Sequence, residues 1–352
     1  MDGTSAGPAD GLDPVDAVES AVLGERPRLV RAEVARRAEV DLEVADQLWH
    51  LLGFAHAADD DPAFTEADVR ALRLTHDLIE LGILSSERQE GLVRTWGRSF
   101  ARLAEWQVGL LTEIAAEKGG DDPGATMIAL ADEVLPRVEE LQTYVWRRHL
   151  VSVASRLLAT QAPGSATVEQ AVCFVDIVGY TSKSRTLSER DLIVWLEDFE
   201  SAALDTVVEH GGRIIKNIGD EVMIVADTAE DAAAIALGLA RRGEDPDDPF
   251  PAVRAGIAYG EVVARLGDVF GPVVNIASRL TKEARPCSVL VDLGMYEALT
   301  GQESGSDDDT PEPPDGGDDE GDDATPYRLK RVRRLSVKGY SRLRVWVLLP
   351  RA

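Results

Sequence analysis

The 352-residue sequence predicts an all-α N-terminal half followed by an α+β C-terminal half. Three observations carry that division. Up to about residue 158, apolar residues recur at helical spacing, as in Leu92, Trp96, Phe100, Leu103, Trp106 and Leu110. Beyond it, short apolar runs such as Ala-Val-Cys-Phe-Val-Asp-Ile-Val (171–178) and Glu-Val-Met-Ile-Val (221–225) read as buried strands. Glycines at 179, 211–212 and 219 punctuate these runs, with amphipathic helices between them.

In chain order, residues 1–13 read as a disordered tail and 14–145 as a helical domain. Short helices are expected at Val30–Ala38, Leu42–Leu52 and Glu66–Leu81, the last stopped by Gly82. A longer helix from Arg88 to Ala115 places its aromatic stripe on a buried face, and Gly119–Gly124 breaks the chain. Thr126–Leu158 is again helical, with Pro136 as a candidate kink, and 146–165 reads as a linker helix. The second domain spans 166–352. Its first strand ends near Gly179, and Ser188 with Asp191 makes a capping-box-like start for a helix running to His210. A hairpin at 213–226, an Ala-rich helix near 229–241, and strands at 252–258 and 261–265 separated by a turn at Tyr259-Gly260 follow. Then come a helix at Val273–Glu283, a strand at 288–292, a short helix and two final strands near 329–337 and 342–349. The stretch 303–325, acidic and rich in Gly and Pro, reads as a disordered surface insertion.

Composition narrows the function classes. A net charge of −26 argues against nucleic acid or an anionic membrane as a main partner. Part of that charge is local, since residues 303–323 hold eleven acids and no base. No apolar run approaches the roughly 20 residues of a membrane span. The N-terminus lacks the basic and apolar parts of a signal peptide, and two cysteines make no disulfide framework. A cytoplasmic protein is expected. Residues 31–48 with 64–72 resemble a helix-turn-helix of the MerR type, which raises a DNA-binding alternative. Residues 26–80 hold seven Arg, no Lys and twelve acids, a poor surface for phosphates.

Candidate chemistry gathers between 172 and 279. Asp176 closes an apolar strand and Asp220 follows Gly219 at a hairpin turn. Two carboxylates at neighbouring strand ends suit a hard divalent cation, which also favours phosphate oxygens. Asn275 and Arg279 stand four apart, on one face of a helix.

Three segments resemble the catalytic domain of class III nucleotidyl cyclases: Phe-Val-Asp-Ile-Val-Gly-Tyr-Thr (174–181), Lys-Asn-Ile-Gly-Asp-Glu (216–221) and Gly-Asp-Val-Phe-Gly-Pro-Val-Val-Asn-Ile-Ala-Ser-Arg-Leu (267–280). The likeness covers roughly residues 168–350. It implies a ferredoxin-like α+β catalytic domain with an antiparallel-rich sheet, behind a regulatory helical domain. It also implies conversion of a nucleoside triphosphate to a 3′,5′-cyclic monophosphate and pyrophosphate. By this resemblance Asp176 and Asp220 ligate two Mg²⁺ or Mn²⁺ ions, and Asn275 and Arg279 position the ribose and steady the transition-state phosphate. Lys216 and Asp268 select the base, and Lys338 contacts the terminal phosphates. A donor-only ammonium and an acceptor-only carboxylate match N1 and N6 of adenine, and guanine presents the reverse. ATP is therefore the expected substrate. Glu221 departs from the family, many members of which carry a small residue there. Because the family builds its site between two catalytic domains and all these residues occur in one chain, a homodimer is expected. Four of the five histidines, His50, His56, His76 and His149, lie in the N-terminal half. Histidine changes charge between about pH 5 and 8, so pH-dependent autoregulation by that half is a further expectation. The competing possibility is a degenerate cyclase or helix-turn-helix-like regulatory binding protein.

Overall fold

A computed structural model describes residues 14–54, 57–81, 86–118, 123–159, 167–302, 326–337 and 340–351. The 1–13 tail, the 303–325 insertion, Gly82, residues 119–122 of the expected Gly119–Gly124 break, His56 and Lys338 lie outside the described residues; a helix already begins at Pro123 and includes Gly124. The chain divides into two compact units, Met1–Pro163 and Gly164–Ala352.

The first unit is all helical: α1 (Pro14–Leu23), α2 (Arg31–Ala38), α3 (Leu42–Leu52), α4 (Glu66–Glu80), α5 (Ser86–Lys118) and α6 (Pro123–Ala159). Local chemistry sets the starts. Asp41 caps α3 by accepting from the Glu43 amide, and Thr65 with Asp68 forms a capping box at α4. Leu29, Val34, Ala45, Leu48, Val69 and Leu72 form the core of this unit, which α5 joins through Val93. Its arginines face acids of the same unit: Arg31 meets Asp46 at 2.7 Å and also Asp59, and Arg37 meets Glu66 at 2.5 Å. The stretch from 146 to 159 belongs to one unbroken α6, continuous through Pro136. The expected buried aromatic face of α5 is not found. Trp96, Phe100 and Trp106 are 39%, 56% and 62% exposed. The reason is length: a helix of 33 residues runs about 50 Å, and the small α2–α4 core reaches only its beginning. There Gly97 lies against the backbone of Leu52, where a Cβ would come within 2.4 Å of its carbonyl oxygen. Among the described residues no helix is long and apolar enough to cross a membrane.

The second unit has β1 (Thr167–Ile177), α7 (Tyr180–Ser184), α8 (Glu189–Glu209), β2 (Arg213–Ile218), β3 (Glu221–Ala226), α9 (Ala229–Glu244), β4 (Val253–Arg265), β5 (Asp268–Phe270), α10 (Pro272–Glu283), β6 (Val289–Val291), α11 (Leu293–Thr300), β7 (Tyr327–Val337) and β8 (Tyr340–Pro350). The sheet order is β2-β3-β1-β4-β6-β8-β7, with β5 on β4. All pairings are antiparallel except β4 with β6. The fold is the expected α+β class, rich in antiparallel pairs.

Strand periodicity assigns the two faces of the sheet. Ala171, Cys173, Val175 and Ile177 of β1 pack with Phe199, Ala203 and Val207 of α8 and with the alanines of α9. Val172 and Phe174 point the other way, into a cluster with Val273 and Ala277 of α10. Asp176 continues this second series at the strand end.

Two expectations about β4 and β5 need correction. The turn at Tyr259-Gly260 does not form, because β1 offers a partner to β4 from Val253 to Val263, with Gln170 opposite Gly260. Ladder bonds therefore carry the strand through a residue that sequence alone reads as a break. The true turn lies later. Leu266 and Gly267, at φ 54° and 78°, form a two-residue reversal, with Arg265 opposite Asp268. That reversal creates β5, which sequence patterning did not separate, and it starts on Asp268.

Candidate active site

Asp176 and Asp220 are neighbours through the β1–β3 ladder. The register sets Asp176 opposite Glu221, and the Ile177 amide donates to the Asp220 carbonyl at 3.2 Å. Gly219, with φ 67°, supplies the left-handed residue that lets β2 reverse into β3 and leaves Asp220 at the tip. Burial pushes the Asp220 carboxyl above its ordinary range, its own backbone hydrogen bond opposes this, and the charge of Asp176 raises it further. Glu221 is raised for the same leading reason, burial, with Asp176 adding repulsion. Crowded carboxylates of this kind fit a divalent cation, which would remove the repulsion while using oxygen donors alone. Among the described residues no group of three or more His, Cys, Asp or Glu side chains is arranged as a closed metal site. A two-carboxylate set leaves further coordination positions for water or substrate phosphate.

Patterning missed one residue here. Arg254 stands opposite Asp176 on β4. Its Nε and Nη2 lie 2.7 Å and 2.6 Å from Asp176 Oδ2, and its Nη1 donates to the Lys282 carbonyl of α10 at 3.1 Å. The available signal was an arginine inside the otherwise apolar run Ala-Val-Arg-Ala-Gly-Ile.

Lys216 and Asp268 stand 52 residues apart in sequence and meet in space. Lys216 Nζ lies 2.5 Å from Asp268 Oδ2, and Asp268 Oδ1 accepts from the Val269 amide at 2.9 Å. Their side chains are 39% and 29% exposed, so the polar ends face an open surface. Exposed large apolar side chains occur on the same strands and their turn: Ile218, Val263, Leu266 and Phe270 are 48%, 41%, 55% and 50% exposed.

Asn275 and Arg279 occupy successive turns of α10, Asn275 exposed and Arg279 half-buried. Pro272 at the first helical position and Gly271 at the cap start this helix two residues beyond β5. The structure thus brings Asp176 together with Asp220, and Lys216 together with Asp268. Lys338 cannot be placed, since it lies outside the described residues.

The sheet thus carries paired carboxylates where β1 and β3 adjoin and a Lys–Asp pair that joins β2 to β5. Residues 164–312 match the adenylate and guanylate cyclase catalytic domain family. An adenylate cyclase of Streptomyces coelicolor is 39% identical, the match covering 85% of this chain and 83% of that one. An adenylate cyclase of Glutamicibacter nicotianae is 37% identical over 80% of this chain and 74% of its own. A pH-sensitive adenylate cyclase of Mycobacterium tuberculosis is 30% identical over 76% of this chain and 69% of its own. The chain belongs to the class III adenylate and guanylate cyclase family.

Proposed function

We propose that the protein is an adenylyl cyclase that forms 3′,5′-cyclic AMP and pyrophosphate from ATP, in sites shared between two copies of the chain. The observation that carries the choice of base is the Lys216–Asp268 pair at 2.5 Å. Adenine entering between them would take a hydrogen bond from Lys216 at N1 and give one from N6 to Asp268, replacing the contact the two side chains make with each other. Relatives named as adenylate cyclases support the same substrate.

Asp176 and Asp220 would hold Mg²⁺ or Mn²⁺, two ions per site. Such ions supply charge neutralisation at the triphosphate and acidify the ribose 3′-hydroxyl. The chain's own groups do the rest. Asn275 orients the ribose, and the Arg279 guanidinium meets the charge that builds on the α-phosphate. The 3′-oxygen bonds to the α-phosphorus as the bond to the bridging oxygen of the β-phosphate breaks. The hydroxyl proton leaves to solvent, and pyrophosphate departs. No separate general base is required of the protein.

Support for a homodimer comes from the rim around the base pair. Ile218, Val263, Leu266 and Phe270 are open in one chain, and a second copy bringing its α10 to the site would cover them. All roles are present in each chain, so two equivalent sites result. The cytoplasm, where ATP is supplied, is the compartment this activity needs. The experiment is to incubate the protein with ATP and Mn²⁺, with GTP as control, and to mix an Asp176→Ala chain with an Arg279→Ala chain. Cyclic AMP from wild type, and recovery in the mixture, are expected. No product from ATP ends the adenylyl reading, and no recovery despite heterodimer formation ends the shared site.

Regulation by the helical unit belongs to the same proposal. His50 lines a small pocket with Arg31, Asp46, Trp49 and Phe64, and His76 lies 3.6 Å from Glu80. Histidine is the side chain type whose charge changes between about pH 5 and 8, which is the basis for expecting pH dependence from this unit. The relative named pH-sensitive supports this direction. Residues 160–352 compared with the full chain between about pH 5.5 and 8 provide the test, across the window in which histidine titrates. Restraint relieved by acid predicts that the two differ most at the alkaline end. Identical profiles would end the regulatory reading.

A further inference from the structure

The last turn of α10 is tied to the strand that carries Asp176, through a residue to which the site as described gives no role. Thr281 is fully buried, a degree that among the described polar or charged residues it shares with Thr65 alone. Its Oγ1 lies 2.9 Å from the Ala277 carbonyl of its own helix and 3.2 Å from the Phe174 carbonyl of β1. A hydroxyl has one proton, so the two carbonyls share it. The first contact is the local one that helical threonines commonly make. The second spans 107 residues of sequence and joins two elements of the site.

The approach is close because α10 lies on bare backbone. Gly256 is the β4 partner of Phe174. A Cβ at Gly256 would come within 2.3 Å of the Thr281 amide nitrogen and 2.6 Å of the Ala277 carbonyl oxygen. With no side chain at Gly256, helix and sheet meet there backbone to backbone; apolar packing around the point sets the spacing, while a directional bond is needed to set rotation and height. Thr281 supplies it, two residues beyond Arg279 and six beyond Asn275. Arg254 adds a second tie one residue later, bridging Asp176 and the Lys282 carbonyl.

We infer that Thr281 is a positioning residue: its shared hydrogen bond fixes α10 on β1 and so sets the reach of Asn275 and Arg279 into the partner copy's half-site. The inference rests on the shared-site reading above. In such a dimer the Thr281 of one chain serves the site whose carboxylates belong to the other. A displacement of about 1 Å in a group acting on the transition state costs on the order of a hundredfold in rate.

Thr281→Val keeps the shape and removes the hydroxyl. The expected result is kcat lower by roughly ten- to a hundredfold with KM for ATP little changed, because the base pair and the carboxylates stay in place. Thr281→Ser should restore most of kcat. Thr281→Ala gives the same comparison if valine upsets folding. The decisive step is directional. In a mixture with Asp176→Ala, the live site takes its carboxylates from the Thr281→Val chain and its α10 from the other. Recovery should match an Asp176→Ala plus Arg279→Ala control, whose live site uses that same α10. In a mixture with Arg279→Ala, the live site must use the altered α10 and should stay at the Thr281→Val level. Wild-type kcat in Thr281→Val, equal impairment in Thr281→Ser, or equal behaviour of the two mixtures would overturn the inference while the control still recovers. A control that recovers nothing removes the shared site, and the inference with it.

Discussion

Replacing Asp268 by alanine separates a role in base selection from a role in the fold. In one chain the carboxylate meets Lys216 at 2.5 Å, with the two side chains 29% and 39% exposed. A pair this open contributes at most about 1 kcal/mol, so the melting temperature should fall by no more than roughly 2–4 °C. On the proposed reading the same carboxylate accepts from adenine N6 in the nucleotide complex, and a hydrogen bond to a charged group contributes about 1.5–3 kcal/mol. Its loss should lower kcat/KM for ATP by roughly ten- to 150-fold. Guanine has no N6 donor, so kcat/KM for GTP should fall less, and the ATP-to-GTP ratio should contract by most of that factor. The assay is initial-rate kinetics with both nucleotides, alongside a thermal melt. An unchanged ratio would refute the reasoning. So would a melt lowered by well over 4 °C, since the pair would then be structural.

Three further outcomes follow from the geometry. Asp176→Ala and Asp220→Ala should each reduce turnover by on the order of a thousandfold or more, and each should abolish the Mn²⁺-dependent rise in melting temperature expected of wild type. A retained Mn²⁺ shift would remove that carboxylate from the ion site. Asp176→Ala should also destabilise the metal-free protein by about 1–3 kcal/mol, because it removes a carboxylate 15% exposed from an Arg254 side chain 33% exposed, measurable by denaturant titration in chelator. Asp292 is buried and accepts backbone hydrogen bonds from Tyr259 and Met295, yet burial raises its carboxyl from 3.8 to about 6. A raised folded value means stability present below pH 4 and lost as pH rises through 6. Asp292→Asn should therefore gain on wild type by up to about 3 kcal/mol between pH 4 and 6.5, and a constant difference across that range would contradict it.

The placement of Asp176, Asp220, Asn275 and Arg279 was legible because they sit on strongly patterned elements. The apolar run into Asp176 and the Gly219-Asp220 reversal both announce strand ends, and spacing on a helix puts Asn275 and Arg279 on one face. What sequence could not supply were distant partners. Arg254 reads as an odd arginine until β4 is laid against β1 with Asp176 opposite it. The unbroken course of β4 past Gly260 likewise depends on a neighbouring strand, which outweighs the local preference of glycine for a turn. The aromatic stripe of α5 failed for a related reason: periodicity identifies an apolar face and not whether anything covers it.

The alternation along β1 makes this strand far less tolerant of changes in length than of changes in side chain. Ala171, Cys173 and Val175 look toward α8 and α9, while Val172, Phe174 and Asp176 look toward α10. One residue inserted or deleted between them would exchange the two series. The carboxylate would then turn into an alanine-lined core and Val175 or Ile177 would stand at the proposed metal site, with composition nearly unaltered. Conservative changes at Val172 or Val175 cost packing alone. For the chemistry, the count of residues from the middle of the strand to Asp176 matters more than what most of those residues are.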